Sequence, residues 1–348
     1  MKALLVNDTH IAANRRSGTT PDSAQQLRAR TLRNFQDLLM AHTDKDVIHA
    51  GDILDDFDVP NADMVGLYNV LSQWLQASGR KFVALRANHD WHPSATRLSS
   101  WDLLFNILHA QYPDQVVLVL DKLTRIQDNV YGLGHVGNQD LFDLQLEAAM
   151  ALENAVLIAH ANFDNDFVAD SDHSLLITRK WAEAFVARGN RLYCGHEHQK
   201  SSHFDGKVVM LGSQDATSIA DCLGNEAKFA HILDDDASLT PIQTMEVSKE
   251  FIRVDWTDLG TVGDQPFVRI EGHAKASQAA DVVSAIARYR SKSDALVIAN
   301  AVKVEGVNNI EGFGGVSLDD IQRFNVRDAL MEMFTEEERK VLEGCLED

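Results

Sequence analysis

The sequence predicts an α/β fold, and three observations carry that prediction. Short apolar runs at Lys2 to Val6, Asp46 to His49 and Phe82 to Leu85 alternate with longer stretches whose apolar residues recur at helical spacing, the order expected of a sheet covered by helices. Five apolar runs end abruptly in metal-capable side chains: Leu4 to Asp8 and His10, Val47 to Asp52, Phe82 to Asp90, Val156 to His160, and Leu192 to His196 and His198. Beyond Asp234-Asp235-Asp236 no such ending recurs, which makes that turn the expected domain boundary.

The elements follow in order. After the first strand, Ile11 to Thr20 reads as a polar loop, and Pro21-Asp22 with Gln25 signals the start of a helix whose face is Leu27, Thr31, Phe35 and Leu38. The second strand leads through the acidic loop Asp55-Asp56-Phe57-Asp58 into a wide apolar stripe, Met64, Leu67, Tyr68, Leu71, Trp74 and Leu75, that stops at Gly79. Past the third strand, Ser99 or Ser100 caps a helix that is apolar almost all round, from Trp101 to Leu108. These two greasy helices, spanning 62–78 and 100–110, suit either a dimer interface or burial in a large core.

Val116 to Leu120, Leu123 to Ile126 and Val130 to Leu133 read as strands at one edge of a second sheet. A helix from about Leu141 to Leu152 precedes the strand ending at His160, and Ala161 to Ser174 reads as a loop over the site. Thr178 caps a helix that stops at Gly189, and strands at Leu192, Val208 to Leu211 and Phe229 to Leu233 complete the sheets. The remainder predicts a small α/β appendage: strands at Phe251 to Trp256, Phe267 to Ile270 and Ala295 to Ala301, with a helix over Gln278 to Arg290. A link from Gly306 to Gly315 then leads to an amphipathic, acidic tail, where Thr335 and Glu338 form a capping box for a last helix. The expected domains are therefore 1–236, 237–305 and 306–348.

Composition narrows the function classes. A length of 348 residues with 45% hydrophobic content supplies a substantial core for one large domain and a smaller one. The formal charge of -20 argues against a basic surface that grips nucleic acid by charge alone, so an activity on DNA would lean on bound cations and a partner. Cys194, Cys222 and Cys345 are odd in number and far apart, giving neither a disulfide framework nor a CxxC zinc site. With no leader-like start and no apolar run near the ~20 residues a bilayer requires, the expectation is a cytoplasmic protein without a membrane span. The compact length suggests a bacterial cell or a phage-infected host as its setting.

The strand endings define a candidate dinuclear site. Asp8 and His10, two apart on a segment leaving its strand, reach one cation, and the two oxygens of Asp52 suit it to bridge two. Asn88, His160 and His196 supply one oxygen and two imidazoles for a second ion, with His198 available to the first. This oxygen and nitrogen set without thiolate suits Mn(II), Fe(II) or Zn(II) better than Ca(II). Two such ions roughly 3.5–4 Å apart activate a water and stabilise both oxygens of an in-line phosphoryl displacement. His89, oriented by Asp90, is the candidate to stabilise the transition state or to protonate the leaving oxygen. Arg15, Arg16, Arg86 and Arg97 flank the site as candidate phosphate contacts, with solvated surface charge as the alternative, and His49, His92 and His135 read as supporting residues.

The ordered set Asp8-x-His10, Gly51-Asp52, Asn88-His89-Asp90, His160 and Gly195-His196-x-His198 resembles the calcineurin-like metallophosphoesterase superfamily over about the first two thirds of the chain. The resemblance implies a two-layer β-sandwich flanked by helices, with Asp8, His10 and His198 on one metal, Asn88, His160 and His196 on the other, and Asp52 bridging. Where that family has glycine before Asn-His, this chain has Ala87, which implies a backbone without positive φ there. In layout, the remaining third looks like the SbcD-type nuclease subunit of DNA repair and recombination complexes, including compact phage forms. That likeness implies a Mn(II)-dependent exonuclease with single-strand endonuclease activity, a capping domain over DNA, a tail docking on an SbcC-type coiled-coil ATPase, and a homodimer through the two greasy helices. The alternative is a stand-alone phosphoesterase acting on nucleotides, cyclic nucleotides or phosphoproteins.

Overall fold

The computed structural model of the chain describes residues 2–13, 21–92, 94, 97–165, 174–224, 227–263 and 265–305. Strands β1 (Ala3–Val6), β2 (Asp46–His49), β3 (Phe82–Leu85) and β4 (Val116–Val119) lie parallel and adjacent, connected through α1 (Pro21–Met40), α2 (Asn61–Ser78) and α3 (Ser100–Gln111). Every residue of β1, β2 and β3 is buried. Leu4, Val6, Val47, Phe82 and Ala84 pack with the helices, whereas Ala3, Leu5, Ile48, Val83 and Leu85 pack with residues of a second sheet. Cover on both faces is why these strands are continuously apolar.

The second sheet is assembled from β5 (Thr124–Gln127), β6 (Val130–Leu133) and, after α4 (Gln139–Ala149), β7 (Val156–His160). A short pair, β8 (Asn162–Phe163) and β9 (Leu176–Ile177), precedes α5 (Arg179–Ala187), β10 (Arg191–Gly195), β11 (Ser201–His203) and β12 (Val208–Met210). The spatial order is β11-β12-β10-β7-β6-β5, with β6, β7, β10 and β12 parallel. Past α6 (Ile219–Cys222), β13 (Ala227–Leu233) and β14 (Leu239–Glu246) return to the first sheet as antiparallel strands beside β1, and α7 (Val247–Glu250) follows. The result is two mixed sheets face to face, joined by Leu5, Ile48, Val83, Ile158 and Tyr193, with helices on the outside.

Two expectations change. Val116 to Leu120 was expected at the edge of the second sheet, but β4 pairs in parallel with β3, the position a helical crossover through α3 delivers. The boundary at 236 also moves, because β14 completes the first sheet; the chain divides into Met1–Glu250 and a second unit from Phe251. In that unit β15 (Phe251–Asp255), β16 (Phe267–Glu271) and β18 (Val297–Asn300) form a parallel sheet, and β17 (His273–Ala274) pairs with β19 (Lys303–Val304). Val282 and Ile286 of α8 (Ala279–Arg290) join Val254, Val268, Ile270 and Ile298 in its core.

The stripes of α2 and α3 are largely consumed by the chain's own core: Leu67, Leu71, Trp74 and Leu75 of one and Trp101, Leu104, Phe105 and Leu108 of the other are buried together. Val65, Leu103 and Ile107 remain exposed. Among the described residues no helix is long and apolar enough to cross a membrane. The linker and tail, 306–348, lie outside the described residues.

Candidate metal centre

The ends of β1, β2, β7 and β10 bring six side chains together in two groups. Asp8, His10 and His198 form one, Asp52, His160 and His196 the other, and within each the ligand-capable atoms lie within 4.8 Å of one another. Asp52 stands between them, its Oδ2 3.1 Å from His160 Nε2 and 3.9 Å from His10 Nε2. His10 Nε2 and His198 Nε2 approach to 2.9 Å. Sharp turns after β1, β2 and β10 make this possible: Asp8 (φ 49°), His10 (φ 49°), Asp52 (φ 53°) and His196 (φ 96°) all occupy positive φ, where Asp and His are more tolerated than most side chains. Gly51 and Gly195 provide the room for His160, since a Cβ on either would stand 2.5 Å or 2.8 Å from its Nδ1.

Three of the imidazoles are aimed from behind. His160 Nδ1–H donates to the Ala50 carbonyl (2.9 Å), and His198 Nδ1–H donates to Asp221 (2.5 Å). His10 Nδ1 lies 3.1 Å from the Asp55 carboxylate. These contacts turn the Nε2 atoms toward the centre, the arrangement that metal-binding histidines require. Burial opposes a charge on His160, but Asp52 and Asp8 outweigh it and push the ring up to about 9. For Asp52, burial is outweighed by His160 and His89, which hold its carboxyl well below the usual range. In the absence of an ion, His160 and Asp52 therefore hold one another in their charged forms. The buried Asn88 Oδ1 has no hydrogen-bond partner, and His160 Nε2, beside Asp52, has none of proper geometry either. An unsatisfied oxygen and nitrogen set among carboxylates fits divalent ions of the first transition row.

Residues 1–200 match the family model described as Calcineurin-like phosphoesterase. The chain belongs to that family. The two Asp/His groups of this phosphoesterase make it a metal-dependent hydrolase with a dinuclear centre. No curated protein matches it. One solved structure is 11% identical over 70% of this chain and 98% of its own, with a TM-score of 0.40, a likeness too slight to carry an argument.

The phosphoesterase centre departs from expectation in its supporting residues. His89 does line the cleft, but its Nδ1–H donates to the Asp55 carbonyl at 2.7 Å, so Asp55 and not Asp90 orients it. Asp90, fully buried, instead accepts from the backbone N–H of Asp52 (3.0 Å), Leu54 (3.2 Å) and Ala87 (3.1 Å), pinning the loop after β2 to the loop after β3. Burial and Asp52 push its carboxyl up to about 7, against the Leu54 and Ala87 donors. Ala87 is absent from the positive-φ residues, as expected, and its Cβ would lie 2.7 Å from a Cβ at Gly51, so the loop after β2 supplies the glycine.

Arg86 pairs with Asp102 in the first turn of α3 (3.3 Å), and neither it nor the exposed Arg97 lines the cleft. Arg15 and Arg16 lie outside the described residues. His49 bonds Thr9 Oγ1 (2.7 Å), and His92 and His135 pack on Phe57 and Trp91, as supporting residues do. Sequence reasoning missed Asp55 and Asp221 behind the ligands. It also missed buried Lys228, which donates to the His198 carbonyl and Ser213 Oγ at 3.0 Å each. Ser218-x-x-Asp221 carried a readable capping signal, but nothing local announces that Asp221 reaches His198.

Proposed function

We propose that this phosphoesterase hydrolyses small phosphate esters, such as nucleotides, cyclic nucleotides or phosphorylated side chains, using two cations, Mn(II) first among them. Asp8, His10 and His198 would hold one, Asn88, His160 and His196 the other, and Asp52 would bridge. The convergence of both groups on Asp52, in a cleft of about 520 Å³, carries the reading. Among the described residues that cleft is lined by no lysine or arginine, so recognition of phosphate falls to the cations. Two bound ions would activate a water and stabilise the attacking and leaving oxygens of an in-line displacement. The Asp55 carbonyl commits His89 Nδ1 and leaves Nε2 to hold or give a proton; burial opposes the charged ring, but Asp52 and the Asp55 carbonyl raise its pKa.

A second reading, the SbcD-type DNA nuclease, draws on one observation: from Phe251 the chain forms a separate unit whose described residues hold a parallel three-stranded sheet and one α-helix, a small α/β unit such as the capping domain expected on that reading. On that reading the segment 306–348 engages an SbcC-type ATPase, and Val65, Leu103 and Ile107 belong to a homodimer face. One assay separates the two. Mn(II)-loaded full chain and His89→Ala are offered p-nitrophenyl phosphate, its bis-ester, a cyclic nucleotide and end-labelled double-stranded DNA. Turnover of the small esters, reduced about 10²–10⁴-fold in His89→Ala with both metals retained, is the expected outcome. His89-dependent loss of DNA with inert small esters would transfer the conclusion to the nuclease, and turnover undiminished in His89→Ala would remove that residue from the chemistry.

A further inference from the structure

The two groups of ligands are backed differently. His160 leans on a backbone carbonyl, that of Ala50, whereas His198 leans on a carboxylate. That carboxylate, Asp221, is only 3% exposed and sits far from His198 in sequence, on the one-turn α6. Its placement is over-determined. Asp221 Oδ2 accepts from the backbone N–H of Thr217 (2.9 Å) and Ser218 (2.8 Å) and from the Ser218 hydroxyl (2.9 Å), which leaves Oδ1 for the imidazole. A carboxylate held by several donors does not swing away when the imidazole moves, so it acts as a fixed stop for the ring.

Lys228 fixes the same residue from the other end. Its ammonium, on buried β13, donates to the His198 carbonyl, so ring and backbone of one ligand are anchored by separate elements. The arrangement has a direct chemical consequence. Accepting the Nδ1 proton fixes the tautomer that presents the Nε2 lone pair, and a negative acceptor makes that lone pair more basic than a neutral carbonyl does. Nε2 is the atom that meets His10 Nε2 at 2.9 Å.

We propose that Asp221 is a positioning residue for His198, and that through this imidazole it strengthens cation binding at the Asp8, His10 and His198 position. The proposal rests on the two-cation reading above. The test titrates Mn(II) into the EDTA-stripped full chain and follows free Mn(II) by its EPR signal, for wild type, Asp221→Ala, Asp221→Asn, His198→Ala and the double variant Asp221→Asn with His198→Ala. Wild type should take up two ions, and Asp221→Ala should weaken one of them about 10–100-fold, a typical effect of removing such a partner. Asp221→Asn, which keeps an acceptor but not the charge, should lose less; it also serves if the alanine variant fails to fold. In the His198→Ala background the asparagine change should add nothing. Unchanged affinity in a folded Asp221 variant, or an equal further loss without His198, would overturn the proposal. Wild type that binds no Mn(II) would instead overturn the two-cation reading beneath it.

Discussion

At the residue scale, the centre depends on side chains that are not there. Gly51 holds φ at +100°, and a methyl group at that position would stand 2.5 Å from His160 Nδ1 and 2.7 Å from the Ala87 Cβ. Gly51→Ala should therefore destabilise the fold by about 1–3 kcal/mol and displace His160 from the Ala50 carbonyl. Denaturation together with Mn(II) titration would check it, and wild-type values for both would show that the loop has slack. The residues that bear chemistry were legible because their types are rare at strand ends: the histidines of Gly195-His196-x-His198 and the Asn88-His89 pair stand out in an apolar context. Asp55 was not legible, since in sequence it is one of three acids in a loop and only the fold selects it to face His10. The role of Asp90 was misread for a similar reason. Proximity to His89 suggested a side-chain partner, but residues 88–90 form a turn in which the Asp90 carboxylate is taken up by the backbone N–H groups of Asp52, Leu54 and Ala87.

At the element scale, the loops after β2 and β3 act as one piece because Asp90 ties them. Removing its carboxylate leaves three buried N–H groups, those of Asp52, Leu54 and Ala87, without their acceptor. Each costs about 1–3 kcal/mol, so Asp90→Ala should lose roughly 3 kcal/mol or more and weaken metal binding through Asp52 and Asn88. Urea denaturation of the metal-free variant isolates the first effect, and a loss under about 1 kcal/mol would mean that water replaces the carboxylate. Strands and long helices were legible from periodicity, α2 and α3 most clearly. The one-turn α6 and strand β14 were not. A four-residue helix has no period to detect, and β14, with only one buried residue, lacks the apolar content by which the core strands announced themselves.

At the scale of the whole molecule, burial makes stability pH-dependent. His231 on β13 is 1% exposed, neither ring nitrogen has a hydrogen-bond partner, and burial with nearby Lys200 lowers its pKa from 6.5 to about 4. As pH falls from about 6.5 to about 4, the unfolded chain gains a proton that the folded chain refuses, so stability is present above this window and declines through it. The full effect is about 3 kcal/mol. His231→Phe should make the decline between about pH 7 and about pH 4.5 shallower, measured as denaturation free energy at each pH, with His49 and His135, whose pKa values burial also lowers, supplying the rest. An unchanged slope would assign the effect to other buried groups. The pairing of the two sheets was only partly legible at this scale, because an apolar strand covered on both faces carries no mark of which sheet it joins; β4 was misplaced for that reason.

Asp8, Asp52 and Asn88 follow strands of the first sheet, whereas His160 ends a strand of the second and His196 and His198 follow another. Neither sheet owns a complete coordination sphere. A ribosome must deliver the chain past β10 before the last donor exists, and β13, which completes the first sheet beside β1 and carries Lys228, emerges later still. On the two-cation reading, the full set of donors exists only once both sheets are in place, and a bound pair of ions would serve as a clasp across the seam between them.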